Sequence, residues 1–243
     1  MATVKEHYNE VLADVYSWMS GGFDSGIRRN ADFFKRHKIK PEKSGAAVDL
    51  GAGCGFQSIP LAEAGYSVTS IDLDAKLLKE LEVNSQGLDI KIIQGDLADF
   101  KSALDKKVEL IVCMTDTISH LDSKETVSGL FKKVYEALEP GGKFVITFRD
   151  LTRELKEIDR FIPVRSSENT IFTCFLEYEY DTVKVYDIVY KKTDDEWQMF
   201  KSFYRKLRLS EEWVREQLLQ CGFNLKESYS SNGLITCIAL TSV

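Results

Sequence analysis

Val48-Asp49-Leu50-Gly51-Ala52-Gly53-Cys54-Gly55-Phe56 is the stretch that decides the fold. It closes a short apolar run, residues 46–50, and three alternate glycines follow that run directly. Glycine accepts positive φ and brings no Cβ, so the chain can turn sharply and a ligand can lie against the main chain. The spacing is GxGxG. A dinucleotide fingerprint is GxGxxG, with the pyrophosphate on the N-terminus of the next helix. Here Phe56 stands where the third glycine would be.

Outward from this turn the chain alternates strand-like and helix-like segments. Residues 56–64 read as a helix, with Pro60 tolerable only in its first turn. Residues 66–73 form a β-branched strand, and 75–85 carry Leu77, Leu78 and Leu81 at helical spacing. A strand at 89–96, a short helix at 96–104 and a continuous apolar strand at 108–114 follow. Residues 124–138 are an amphipathic helix stopped by Pro140-Gly141-Gly142, and 143–148 are another strand. Five strands alternating with four helices predict an α/β, Rossmann-like, mostly parallel sheet with helices on both faces. In such sheets ligands bind outside the carboxyl ends of the strands.

Two regions break the alternation. Residues 1–45 read as helices: Val4, Tyr8, Val11, Leu12, Val15 and Trp18 make an apolar stripe, Ser20-Gly21-Gly22 ends it, and a second helix runs from about Ser25 to Arg36. Residues 170–208 read as three successive strands, an antiparallel β-meander. The chain then returns to a helix capped by Ser210 and closes with a strand pair around Asn232-Gly233. A single domain over 1–243 is expected. Residues 1–45 form a helical lid, 46–149 and 210–243 a cofactor-binding core, and 150–209 an inserted cap over the substrate.

Composition narrows the class. The 243 residues carry a net charge of −6, 44% apolar and 29% charged side chains. No apolar run reaches the ~18 residues of a spanning helix, and polar residues interrupt the start where a signal peptide would need a continuous apolar stretch. No membrane partner is expected, and the acidic balance argues against nucleic acid, which wants a basic face. Cys54, Cys113, Cys174, Cys221 and Cys237 are an odd number at wide spacing, and read as reduced thiols in the cytoplasm. No His/Cys group has zinc-ligand spacing, so no metal is expected.

Carboxylates recur at strand ends. Asp72 follows the second strand about 20 residues beyond Gly51 and can accept both hydroxyls of a ribose. Asp96 after the third strand can face an adenine amine, with Leu97 beside the ring. Asp49 can reach the cationic amino-acid part of a ligand, directly or through water. A helix cap is the competing reading for Asp72 and Asp96. The set implies a nucleoside with a positive charge and no phosphates.

These segments, VDLGAGCGF, SIDLD, QGDL, LIVCM and LEPGGKFVITF, resemble the class I S-adenosylmethionine-dependent methyltransferases. The resemblance implies seven strands in the order 3-2-1-4-5-7-6 with strand 7 antiparallel, S-adenosylmethionine as cofactor, and Gly51, Gly53, Asp72 and Asp96 around it. Ala52, Gly55, Leu73, Met114 and Thr115 are expected to complete the cofactor site, with Tyr16 and Trp18 from the lid.

In-line methyl transfer needs alignment more than acid–base machinery, and no triad is evident. His120 is the candidate for a direct role with the acceptor. Thr117, Arg149 and Arg205 are candidate substrate contacts, with solvated side chains the competing reading for the arginines. The expected activity is methyl transfer to a nitrogen or oxygen of a small molecule. A protein methyltransferase, a nicotinamide-dependent oxidoreductase and an inactive cofactor-binding module are the alternatives. Oligomeric state is not legible.

Overall fold

The computed structural model describes residues 4–243, the side chain of Lys5 excepted. Its centre is a seven-stranded sheet built from β1 (Ala46–Leu50), β2 (Ser67–Asp72), β3 (Ile90–Gln94), β4 (Val108–Cys113), β5 (Leu138–Arg149), β10 (Asn224–Ser231) and β11 (Leu234–Leu240). The order is 3-2-1-4-5-11-10, with β11 antiparallel to β5 and to β10. This is the expected order, with four strands inserted between the fifth and the last two. Every residue of β4 is buried, because helices cover both sheet faces and leave a central strand no wet side.

Local rules account for the ends of the elements. The helix α4 (Ser58–Glu63) holds Pro60 in its first turn, where an absent N–H costs nothing. Asp74 caps α5 (Ala75–Asn84), Ser123 caps α6 (Lys124–Ala137) and Ser210 caps α7 (Glu211–Gln220). Asn232 (φ 51°) and Gly233 (φ 74°) turn β10 into β11, the left-handed pair a two-residue hairpin needs. No helix among the described residues is long and apolar enough to cross a membrane.

The short helix expected after β3 is present as a 3₁₀ helix, Leu97–Ala103. Two other regions differ from expectation. The inserted sheet has four strands: β6 (Phe161–Ser166) precedes β7 (Thr170–Tyr178), β8 (Thr182–Thr193) and β9 (Glu196–Leu207). Pro163 masks β6 in the sequence, and the structure admits it because β6 is an edge strand whose register shifts between Pro163 and Arg165. The amino-terminal stripe is also not one regular helix. It runs as α1 (Val4–His7), a π turn (Tyr8–Leu12), a 3₁₀ turn (Ala13–Val15) and α2 (Tyr16–Met19), before α3 (Phe23–Arg36).

That segment ties the two sheets together. Val11, Leu12 and Val15 are buried against Phe172, Leu176, Val185 and Tyr204 of the inserted sheet. Each such burial is worth roughly 1.5–3 kcal/mol. The π turn adds a residue to the helical repeat, and such turns occur often at functional sites. It carries Tyr8, which packs against the same apolar cluster and also lines the space above the carboxyl ends of β1, β2 and β4.

Candidate functional site

A cleft of about 640 Å³, open to solvent, lies at those strand ends. Its floor is the glycine turn. Gly51 has φ +77°, and a Cβ there would lie 2.3 Å from Thr117 Cγ2. The N–H groups of Gly51 and Ala52 both donate to the Ile71 carbonyl, at 2.9 and 3.0 Å, which pins the turn to β2. Gly55 serves packing: a Cβ there would lie 2.4 Å from Leu81 Cδ1. Ala52 is buried beneath the turn. Of the motif's predicted contacts, Gly51 and Gly53 line the cleft, while Ala52 and Gly55 shape it from behind.

Asp72 is the polar centre of the cleft. Its Oδ2 accepts the Gly53 N–H at 2.8 Å and its Oδ1 the Asp74 N–H at 2.8 Å. A carboxylate has about four acceptor sites, so both oxygens keep a lone pair for a ligand. Burial pushes its carboxyl above the usual range. The cap of α5 is Asp74, not Asp72. Leu73, Gly95 and Leu97 continue the wall beyond it.

Asp96 is placed differently from expectation. It is exposed, its Oδ1 accepts the Ala98 N–H at 2.8 Å, and its neighbours Gly95 and Leu97, not Asp96 itself, line the cleft. The competing cap reading describes it, because a 3₁₀ turn opening at Leu97 leaves a donor for its side chain.

Asp49 sits under the turn with no exposure. Ser58 Oγ donates to its Oδ2 at 2.6 Å, and its Oδ1 has no partner among the described residues. Burial, with Asp72 nearby, pushes its carboxyl up to about 7. A group raised in the folded state binds its proton more tightly there than in the unfolded chain. The stability it contributes is therefore full below the unfolded value and is lost as pH rises through about 7. Wild type is expected to lose stability relative to Asp49→Asn between pH 5 and pH 8, read by urea unfolding at each pH. Parallel curves would contradict the assignment.

The loop after β4 forms the far wall. Thr115 (φ 61°) and Asp116 (φ 72°) are successive left-handed residues that are not glycine, a strain that persists only where surroundings hold it. Thr147 holds it here: its Oγ1 accepts the Thr115 N–H at 2.7 Å and its carbonyl the Asp116 N–H at 2.9 Å. Thr115 and Thr117 line the cleft; Met114 is buried behind them, its carbonyl accepting from Thr117 Oγ1 at 2.8 Å.

The amino-terminal segment roofs the cleft with Tyr8 and Tyr16. Tyr16 stacks on Phe56 at 6.0 Å, so Phe56 supports the roof from the start of the helical segment. Trp18 does not reach the cleft. Two residues along a helix turn a side chain to the opposite side, and its ring lies under the Arg165 guanidinium, 5.3 Å away, against the inserted sheet.

A second recess of about 1810 Å³ opens between the β4 loop, the amino-terminal segment and the inserted sheet. It meets the cleft at Tyr8, Tyr16, Thr115 and His120, which line both. The His120 ring stacks parallel on Tyr204 at 5.2 Å, and its Nδ1 has no partner among the described residues. Burial and then the Lys206 charge push its imidazole down to about 3, so it is neutral at physiological pH and can accept a hydrogen bond. Behind Tyr204, His7 Nε2 meets Asp187 Oδ2 at 2.8 Å. Arg149 lines the recess. Arg205 does not: it pairs with Glu179 on the outer face of the sheet, at 2.6 and 2.9 Å. Strand alternation turns its neighbour Lys206 inward instead, onto Asp116 at 2.5 Å.

Sequence reasoning gave no individual site role to Tyr8, His7, Asp187, Tyr204 or Lys206. Aromatic density is a signal for the two tyrosines, but it does not say which face turns inward.

Sheet order, glycine turn and strand-end carboxylate together define the class I, S-adenosylmethionine-dependent methyltransferase architecture. Residues 47–142 match the family described as "Methyltransferase domain", and this stretch of the chain is a methyltransferase domain of that class. The chain is 27% identical over 150 residues to a glycine/sarcosine N-methyltransferase of Halorhodospira halochloris, an alignment covering 60% of this chain and 56% of that protein. It therefore matches little more than half the length of that relative. Among solved structures, the CcbJ methyltransferase of Streptomyces caelestis superposes with a TM-score of 0.80 at 17% identity, over 97% of this chain and 98% of the other. The S-adenosylmethionine-bound amino pentose methyltransferase CalS10 of Micromonospora echinaspora gives 0.78 at 14% identity, over 94% and 96%. At such identities these two establish the fold.

Proposed function

We propose that this chain binds S-adenosylmethionine in the cleft and transfers its methyl group to a nitrogen or oxygen of a small molecule held in the larger recess. The observation that carries the proposal is the junction: two recesses at the strand ends share Tyr8, Tyr16, Thr115 and His120. Residues 4–45 and 150–209 act with the core as one unit that encloses the reaction; residues 1–3 of the expected lid lie outside the described residues.

In this reading Asp72 takes the ribose hydroxyls, Leu73 and Leu97 flank the adenine, and the backbone at Gly51 and Gly53 faces the amino-acid end. Asp49 lies beneath that end and gains its negative charge only as pH rises through about 7, and Asp96 stays at the rim. The sulfonium sits near the faces of Tyr8 and Tyr16, which attract a cation. The acceptor's lone pair forms the new bond to the methyl carbon as the sulfur–methyl bond breaks and its electrons stay on sulfur. S-adenosylhomocysteine leaves, and the proton freed from the acceptor passes to water or buffer. The chain's contribution is alignment and exclusion of water, with neutral His120 accepting a hydrogen bond from the acceptor's N–H or O–H. Nitrogen is favoured by the similarity to a glycine/sarcosine N-methyltransferase. The five cysteines are all unpaired, which fits a reducing compartment such as the cytoplasm.

The test is a screen of small amines and hydroxyl compounds read by S-adenosylhomocysteine release. Turnover of one of them supports the proposal; release with peptide or protein acceptors alone overturns the small-molecule assignment. On the accepted compound, His120→Ala is expected to lower kcat by up to roughly tenfold, the scale of one hydrogen bond, while leaving cofactor affinity nearly unchanged. Unaltered turnover would remove His120 from the mechanism.

A further inference from the structure

The larger recess is lined by as many cations as carboxylates, but they are not all paired with one another. Its cations are Arg149, Arg153 and Lys206, and its carboxylates Asp116, Asp150 and Asp187. Lys206 is paired with Asp116 and His7 with Asp187. Asp150 is turned onto Thr152, accepting from both its backbone N–H and its hydroxyl. The neighbouring Glu154 is taken by Arg208 at 2.9 Å. Arg153 also borders a surface groove with Glu211, Glu212 and Glu216, and none of these forms an ion pair with it. Among the described residues the guanidinium groups of Arg149 and Arg153 therefore have no ion-pair partner, and both line the same recess. Gly233 lies beside the first: a Cβ there would lie 3.7 Å from Arg149 Nη1, an ordinary contact.

The rest of the wall is apolar, with Leu151, Leu155, Ile162, Val164, Phe172 and Leu176 along it. Leu155 and Val164 stay 40% and 37% exposed, so apolar surface extends toward the solvent side. A planar guanidinium matches a carboxylate or phosphate with two parallel hydrogen bonds.

We propose that the methyl acceptor is an amphipathic anion, with an oxyanion group held by Arg149 and Arg153 and an apolar body along the recess wall. This rests on the methyltransferase reading and names the substrate class of its second recess. The anionic end then sets the distance at which the acceptor atom meets the junction at His120. Arg149 and Arg153 are specificity-determining residues and take no part in the bond changes.

The test uses the full chain saturated with S-adenosylhomocysteine and calorimetry with phenylbutyrate, phenylbutyl phosphate and phenylbutylamine. At least one of the two anions should bind and the amine should not. Arg149→Gln and Arg153→Gln should each weaken the anion roughly tenfold, the scale of one charge-assisted hydrogen bond. Arg160→Gln, on an arginine stacked over Phe175 elsewhere on the sheet, should not. Comparing carboxylate with phosphate identifies which oxyanion the pair fits. With S-adenosylhomocysteine bound normally, equal binding of the amine, no binding of any probe, or an unweakened double variant overturns the oxyanion assignment. Failure of S-adenosylhomocysteine itself to bind overturns the methyltransferase reading instead.

Discussion

Asp72→Ala is expected to weaken S-adenosylmethionine binding by between about a hundredfold and ten-thousandfold. The carboxylate has one lone pair free on each oxygen after serving the N–H groups of Gly53 and Asp74. Two charge-assisted hydrogen bonds to the ribose at about 1.5–3 kcal/mol each give that range. The same substitution strands two backbone donors, so thermal unfolding must be measured beside affinity. Asp72→Asn separates the effects, since its amide oxygen keeps one acceptor while the charge is gone. It strands one backbone donor rather than two, so it should cost less stability than Asp72→Ala and still bind at least about tenfold more weakly. A change of less than about fivefold in Asp72→Ala would mean the ribose lies elsewhere.

Gly51→Val should be the most damaging single change in the core of the site. A β-branched residue at φ +77° is a backbone outlier, and its Cβ would overlap Thr117. The turn cannot swing away without breaking its two bonds to the Ile71 carbonyl. Strain of about 1–3 kcal/mol and overpacking of about 1–3 kcal/mol together predict a fall in Tm of roughly 5–15 °C. Because Thr117 lines the cleft, cofactor binding should fail even at temperatures where the variant is folded. Adding Thr117→Ala removes the overlap but not the strain, so it should restore part of the Tm. No recovery would place the cost wholly in the backbone.

The sheet was legible because its signals are local. Each strand of the core ends in a residue pattern that physical rules read one segment at a time: glycine turn, β-branched run, capped helix. Asp72 was legible for the same reason, since its distance from the glycine turn is set by one strand–helix–strand unit. Asp96 shows the limit: its position at a strand end was right, but a local donor, the Ala98 N–H, captured the side chain.

The covering elements were less legible because tertiary packing decides them. Along β9, Phe203 and Tyr204 are both aromatic and Arg205 and Lys206 both cationic, so alternation alone cannot tell inside from outside. The contact of Tyr204 with Val11, Leu12 and Val15 chooses the phase, and that choice moves the inward cation from Arg205 to Lys206. Likewise the apolar stripe of the amino-terminal segment does not reveal a π turn at Tyr8. The two sheets between which the segment must fit determine it.

Calorimetric titration of the purified chain with S-adenosylmethionine, S-adenosylhomocysteine and NAD tests the central claim most directly. Both sulfur compounds should bind at one site per chain with micromolar or tighter affinity, and NAD should give no heat. Binding of NAD, or no heat from either sulfur compound at a protein concentration that detects micromolar binding, would contradict it.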